Sequence, residues 1–255
     1  MSYLLIDVGN SFTKYSVFTD KTLSVIKKFK TNMFEQFINT IDVNNEKQIL
    51  KIILVSVVDD EITMKIEDKL LSSFQCPIQQ VYTEESKFGV KCGYNDCSTL
   101  GADRWVAIIA AYNKVKSKNL KPVMVVDCGT VITVDVMDSN GQHLGGWMMP
   151  SAILMHESLL EKSKGIKKGI SNATKKVSEG VSRFGHSTYE CVEVGAQLAE
   201  VGFIEQCFIH TQNSLKEVPL CILTGGGAND IFPMLTMKVE HLPNLVFDGL
   251  ALFAE

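Results

Sequence analysis

No hydrophobic run in this chain approaches the length of a membrane span: the longest, Trp105 to Tyr112, is far short of the roughly 20 residues a helix needs to cross a bilayer. The opening residues also lack the basic head and small-residue cleavage site of a signal peptide, so the protein is expected in the cytoplasm with no membrane partner. Neither sign of charge dominates. Twenty-five Lys and Arg stand against 29 Asp and Glu, a net charge of -4, which supplies no global field for a polyanion and makes nucleic acid an unexpected partner. The seven cysteines contain no C-x-x-C pair, which excludes a disulfide framework or zinc cage and leaves most of them to serve as small buried hydrophobes. His156-Glu157 lacks the second histidine of a zinc-protease helix. Two nucleotide signatures are missing as well: there is no G-x-x-x-x-G-K-[ST], and no G-x-G-x-x-G follows a strand. Any grip on phosphate must come from other turns.

What is present is an ordinary globular composition, 45% apolar and 21% charged over 255 residues, enough for a sizeable core in one large domain or two intimately packed halves. The most informative feature is a repeat. Leu5-Ile6-Asp7-Val8-Gly9-Asn10-Ser11-Phe12-Thr13 and Val125-Val126-Asp127-Cys128-Gly129-Thr130-Val131-Ile132-Thr133 superpose at an offset of 120 positions, each reading as strand, acidic turn, strand. Third strands are predicted over Leu23 to Lys30 and His143 to Met149. The first half then alternates through a helix at Met33 to Ile41, a strand at Lys51 to Val57, a helix at Glu61 to Phe74 and a strand at Ile78 to Tyr82. The second half continues through helices at Ala152 to Lys162 and Ser187 to Thr211, a strand at Leu220 to Thr224, and helices around Asp230 and at Asn244 to Phe253. Two α/β halves with mixed sheets follow, 1–118 and 119–255, joined near the polar stretch Lys116 to Lys121, and a cleft between them is the default ligand site.

Each repeated turn has two readings. Gly9 at positive φ would let backbone N–H groups converge on an anion, with Asn10 and Ser11 adding donors and Asp7 approaching phosphate through a cation such as Mg2+. The same residues also make a tight hairpin with an Asx cap. A second copy at Asp127-Cys128-Gly129-Thr130 favours two turns holding consecutive phosphates of one nucleotide. Thr224-Gly225-Gly226-Gly227, between a strand and a helix, is either a nucleoside or α-phosphate site at a helix start or a flexible connector. Leu100-Gly101-Ala102-Asp103-Arg104 opens a strongly helical run. There Asp103 is either an N-terminal cap or a base taking a proton from an attacking hydroxyl while Arg104 forks onto a carboxylate or phosphoryl group.

Together these motifs resemble the type III pantothenate kinases, of the actin, sugar-kinase and heat-shock-chaperone superfamily, in order along nearly the whole chain. The resemblance implies duplicated ribonuclease H-like (actin-like ATPase) α/β half-domains and an ATP-dependent kinase for the primary hydroxyl of pantothenate, the first step of coenzyme A synthesis. It implies that the segment Asp7, Val8, Gly9, Asn10, Ser11, Phe12, Thr13 and Lys14, together with Thr130, holds ATP phosphates, with Mg2+ near Asp7. It implies Asp103 as the base, a potassium or ammonium ion at Asp127, and pantothenate at Tyr94, Gly101, Ala102, Asp103, Arg104 and Thr188. Gly145-Gly146-Trp147-Met148-Met149-Pro150 matches a further signature, and a homodimer is expected. Ser151 stands where the family usually has Gly, and Cys97 where a Pro commonly precedes the Gly-x-Asp-Arg turn. The alternatives are another small-molecule kinase of the superfamily, for a sugar or acetate, and a non-catalytic regulator with the same fold. Lys162 to Lys176, with six lysines around Gly165 and Gly169, reads as a solvated loop or a basic lid.

Overall fold

Strand β1 (Ser2–Val8) is buried along almost its whole length, as an unbroken apolar run requires of a central strand. The structure, a computed structural model, describes residues 1–38, 41, 49–116, 121–163 and 184–254. Strand β2 (Phe12–Thr19) returns antiparallel to β1, and two short strands, β3 (Thr22–Leu23) and β4 (Lys27–Lys30), pair with opposite ends of β2. The single strand expected over Leu23 to Lys30 is thus two pieces. Ser24 breaks it, because its hydroxyl accepts the Val17 N–H at 2.9 Å.

Helix α1 (Phe34–Phe37) is followed by β5 (Ile49–Ser56), parallel to β1, then α2 (Asp60–Phe74) and β6 (Ile78–Gln80), parallel to β5. A small unexpected hairpin, β7 (Ser86–Lys87) and β8 (Val90–Lys91), precedes α3 (Ala102–Lys116), which is buried nearly all round from Arg104 to Tyr112. The second meander is β9 (Val123–Cys128), β10 (Val131–Met137) and β11 (His143–Pro150). Helices α4 (Ala152–Lys162) and α5 (Thr188–Leu215) follow, then β12 (Leu220–Thr224), the single turn α6 (Ala228–Ile231), β13 (Val239–His241) and α7 (Leu245–Leu252).

The two main sheets run β3-β2-β1-β5-β6, with β4 also on β2, and β11-β10-β9-β12-β13. With β3 and β4 counted as one broken third strand, each half reads third, second, first, fourth, fifth, so the duplication seen in the turns extends to the whole sheet. Each sheet has its own core. Leu4, Ile6, Ile52, Leu54 and Ile66 belong to the first core, and Met124, Val126, Val134, Ile204 and Leu223 to the second.

The chain divides into two compact units, Met1–Lys118 with Asn244–Glu255, and Asn119–Pro243. The second half therefore does not extend to residue 255 as the sequence suggested. Helix α7 packs on α3 of the first unit, and a Cβ on Gly249 would run into the Val106 carbonyl, so that glycine brings the two helices to backbone distance. All seven cysteines are free thiols, four of them buried. No helix among the described residues is long and apolar enough to cross a membrane.

Candidate active site

In the first unit, β1 ends in the turn whose residues carry the phosphate expectation. Asp7 lies opposite Lys14 in the β1–β2 register, and Lys14 Nζ stands 3.2 Å from Asp7 Oδ2. The carboxylate is almost wholly buried while the lysine side chain is 38% exposed, so the ammonium can face a ligand and its counter-charge at once. Gly9 is not in the left-handed region, contrary to expectation. Close approach explains it instead, since its N–H donates to the Phe12 carbonyl at 3.1 Å and a Cβ would stand 3.0 Å from that oxygen.

Thr31, which the sequence did not single out, braces the turn from beneath. Its hydroxyl donates to the Gly9 carbonyl at 2.6 Å and its N–H to the Ser11 carbonyl at 3.2 Å. Thr13 is fully buried with its hydroxyl 3.1 Å from that of Thr31, so it supports the turn rather than reaching phosphate. Val8 is likewise buried and offers only backbone, whereas Asn10, Ser11 and Phe12 are exposed at the tip.

Asp103 is not the cap of α3. The helix begins at Ala102, the Gly101 carbonyl takes the Trp105 N–H at 3.0 Å, and Asp103 lies in the first turn with Oδ1 accepting the Arg104 N–H at 2.7 Å. A carboxylate there still favours the helix dipole. Arg104 is buried, and its guanidinium donates to the Tyr94 hydroxyl at 3.1 Å while lying 5.6 Å from that ring's centre, so the structure brings Tyr94 and Arg104 together.

The two segments of this unit share a floor. Val57, just past β5, donates its N–H to the Val8 carbonyl at 3.0 Å, and its side chain lies 3.9 Å from where a Gly101 Cβ would be. A cavity of about 420 Å³ opens beside Gly101 and Ala102, between the ends of β5 and β6 and the Ser98 to Leu100 turn. Its hydroxyl protons are committed: Thr63 bonds the Asp59 carbonyl, Thr83 the Leu100 carbonyl, Thr99 the Asp96 carbonyl and Tyr82 the Gln80 side chain. The cavity is lined by hydroxyls, the Gln80 amide and the Asp60 carboxylate, with no lysine or arginine.

In the second unit, Asp127 lies opposite Thr133 where the first copy has a lysine. The loop is also shorter, with residues 129–131 between Cys128 and Ile132 against residues 9–12 between Val8 and Thr13. The glycine segment after β12 lies against this turn. Gly225 has φ +96°, a Cβ on it would collide with Asp127 Oδ1 and the Cys128 backbone, and Gly227 N–H donates to the Cys128 carbonyl at 2.8 Å. The helix after it is only the four-residue α6, so it lends little dipole. Burial, then the charges of Asp127 and Glu200, pushes the Cys128 thiol far above its ordinary range and makes it unreactive.

Thr130 is exposed at the tip, and its carbonyl accepts the Ser151 N–H at 3.3 Å. Ser151, at φ -68° and ψ 167°, needs no glycine conformation, so its departure from the family pattern is harmless to the loop. Thr188 is exposed in the first turn of α5, where Ser187 Oγ accepts the Glu190 N–H and the Glu190 carboxylate accepts the His186 N–H at 2.8 Å. Beyond Ser163, the Lys162 to Lys176 segment lies outside the described residues.

With this arrangement in view, the comparisons with known proteins are decisive. The sequence profile of the type III pantothenate kinases matches residues 3–210. The chain belongs to the type III pantothenate kinase family. Among curated type III pantothenate kinases, that of Methylibium petroleiphilum is 31% identical over 263 residues, covering 100% of this chain and 98% of the relative. That of Nitrosococcus oceani is 29% identical over 265 residues, covering 99% and 93%. Among solved structures, a protein described as a 2-dehydro-3-deoxygalactonokinase from Sinorhizobium meliloti aligns with a TM-score of 0.61 at 10% identity, covering 99% of this chain and 98% of that one. One described as a Baf family transcriptional activator from Campylobacter jejuni aligns at 0.59 and 17%, covering 97% and 95%. These likenesses show that the pantothenate kinase family member has the duplicated actin-like fold expected from its sequence.

Proposed function

We propose that the chain transfers the γ-phosphoryl group of ATP to the primary hydroxyl of pantothenate, giving 4′-phosphopantothenate for coenzyme A synthesis. The observation that carries this reading is the attachment of both the Asp7–Lys14 turn and the Gly101–Arg104 segment to the end of β5 within one unit. Asp103 is the base. The Arg104 N–H on its Oδ1 fixes the carboxylate's orientation, and it takes the hydroxyl proton as the new O–P bond forms and the bond to the ADP oxygen breaks. Tyr94 holds the Arg104 fork for the substrate carboxylate or the moving phosphoryl group, and Gly101, Ala102 and Thr188 complete the pantothenate contacts. The polar cavity beside Gly101, with no lysine or arginine in its lining, suits the hydroxyl and amide groups of pantothenate rather than its carboxylate.

Gly9, Asn10, Ser11, Phe12, Lys14 and Thr130 hold the ATP phosphates. Asp7 is a lone hard oxygen donor at the turn, a set that suits Mg2+, which takes one or two carboxylates together with phosphate oxygens and water. With Lys14 on Oδ2, Asp7 would hold that ion through water, and the bound ion neutralises charge on the phosphate oxygens. Asp127, which pairs in register with Thr133, would hold a potassium or ammonium ion. A homodimer fits the apolar residues left exposed around α4, among them Met148, Ile153 and Leu198.

The test is a purified-protein assay with ATP and Mg2+, offering pantothenate, a hexose and acetate in turn and identifying products by mass spectrometry. Phosphopantothenate alone is expected, and Asp103→Asn should lower kcat by at least about a thousandfold while ATP still binds. Hexose or acetate phosphate without phosphopantothenate would overturn the reading, and wild-type turnover in Asp103→Asn would remove the base.

A further inference from the structure

Glu200 is the outlier of helix α5. It shares the buried face of Ala196, Ile204, Cys207 and Thr211, and its residue is only 7% exposed. A carboxylate buried among apolar neighbours needs a hydrogen-bonding partner. Its partner is the Ala152 N–H, the first helical donor of α4, which meets Glu200 Oε1 at 2.5 Å.

Ordinarily the residue preceding the helix supplies that cap from its own hydroxyl. Here Ser151 occupies the position but makes no side-chain capping bond, and its buried Oγ has no partner among the described residues. The cap has been handed to another helix. The adjacent donor, Ser151 N–H, bonds the Thr130 carbonyl at 3.3 Å. Two successive peptide N–H groups thus link Glu200 on one side to the turn after β9 on the other. Glu200 lies close enough for its charge to be felt at Cys128, inside that turn's base.

We propose that Glu200 is a positioning residue of the kinase reaction, holding the Gly129–Thr130 turn in its phosphate-binding shape through the Ser151-Ala152 peptide. The claim rests on the reading of Thr130 as an ATP contact. Glu200 touches no substrate. Its loss lets the start of α4 shift and the Thr130 carbonyl with it, so the effect falls on ATP and leaves the acceptor alcohol alone.

Three variants of the full chain test this by steady-state kinetics with each substrate varied in turn, alongside ATP calorimetry and melting curves. Glu200→Ala removes the acceptor. Ala152→Pro removes the donor at the first helical position, where proline is tolerated, after a residue whose φ and ψ already suit one. Both should raise KM for ATP about tenfold, the loss of one charge-assisted hydrogen bond, with kcat and the pantothenate KM within about twofold of wild type. Glu200→Gln keeps an acceptor oxygen and should return the ATP KM to within about twofold of wild type. An unchanged ATP KM in both the alanine and proline variants would overturn the proposal. So would a fall in kcat together with a comparable rise in both KM values, or a glutamine variant as impaired as the alanine one. Should Glu200→Ala fail to fold, Ala152→Pro and Glu200→Gln decide. A wild-type protein that binds ATP without phosphorylating pantothenate sinks the proposed function alone, and the calorimetric ATP affinities of the same variants still decide the role of Glu200.

Discussion

The two repeated turns began from one pattern and are held by different means. The first neutralises its aspartate within the hairpin, through Lys14, and is braced by a side chain, Thr31. The second sets a threonine opposite its aspartate, loses a residue from the loop, and is braced by backbone, through Gly227 N–H on Cys128 and Ser151 N–H on Thr130. A duplicated turn is thus held by an ion pair and a side-chain brace in one copy and by backbone contacts in the other.

The largest expected effect contrasts the glycines that shape each turn. Gly225→Ala would put a side chain at φ +96° against Asp127 and should cost about 3 kcal/mol of stability or more and weaken ATP binding over about tenfold. Gly9→Ala, with ordinary φ and one 3.0 Å contact, should cost about 1 kcal/mol. Denaturant melts and ATP calorimetry read both, and a Gly9 variant worse than the Gly225 variant would break the comparison. Next, Lys14→Met leaves Asp7 buried without its ammonium and should raise KM for ATP by about tenfold to a hundredfold, with activation by potassium unchanged. A changed potassium response would mean that the two turns do not divide the work as stated.

A sharper variant converts one turn into the other. Thr133→Lys places an ammonium opposite Asp127, as Lys14 stands opposite Asp7, and should make activity independent of potassium or ammonium in a salt-replacement series. The smallest effect is at Glu200, whose carboxyl burial holds above its ordinary pKa despite the Ala152 bond, with the charges of Asp230 and Glu193 adding to the rise. Folding then disfavours the ionised form. The penalty is absent where the acid is neutral in both states, below about pH 4, and grows as pH climbs through the raised native value. Glu200→Gln should therefore melt slightly higher than wild type near pH 8 and lose that advantage near pH 4, and the opposite trend would contradict the burial argument.

The duplication was legible because Asp-x-Gly after a buried strand is a local signal that recurs at a fixed offset, and the long elements followed from their periodicity. What the sequence concealed is tertiary. Nothing local in Leu245–Leu252 says that it returns to the first unit, since only the meeting of Gly249 with Val106 decides that. Strand β13 is too short to announce itself, and Ser24 splits a strand by a side-chain bond that no period reveals. In the candidate site, Asp103 and Arg104 stood out by type and spacing and Tyr94 by the family resemblance alone, while the reading of Asp103 as a cap fails because Gly101 already holds that place. Thr31 carries no signal apart from its fold. Glu200 does carry one, a carboxylate on the same helical face as Ala196 and Ile204, and a strict reading of that face would have marked it.

The proposed function has each turn, and not one alone, contact ATP. Amide hydrogen exchange read at residue resolution, with and without ATP and Mg2+, tests it most directly. Exchange should slow at Asn10 and Ser11 and, at the same nucleotide concentrations, at Gly129 and Thr130. Slowing confined to a single turn would contradict it.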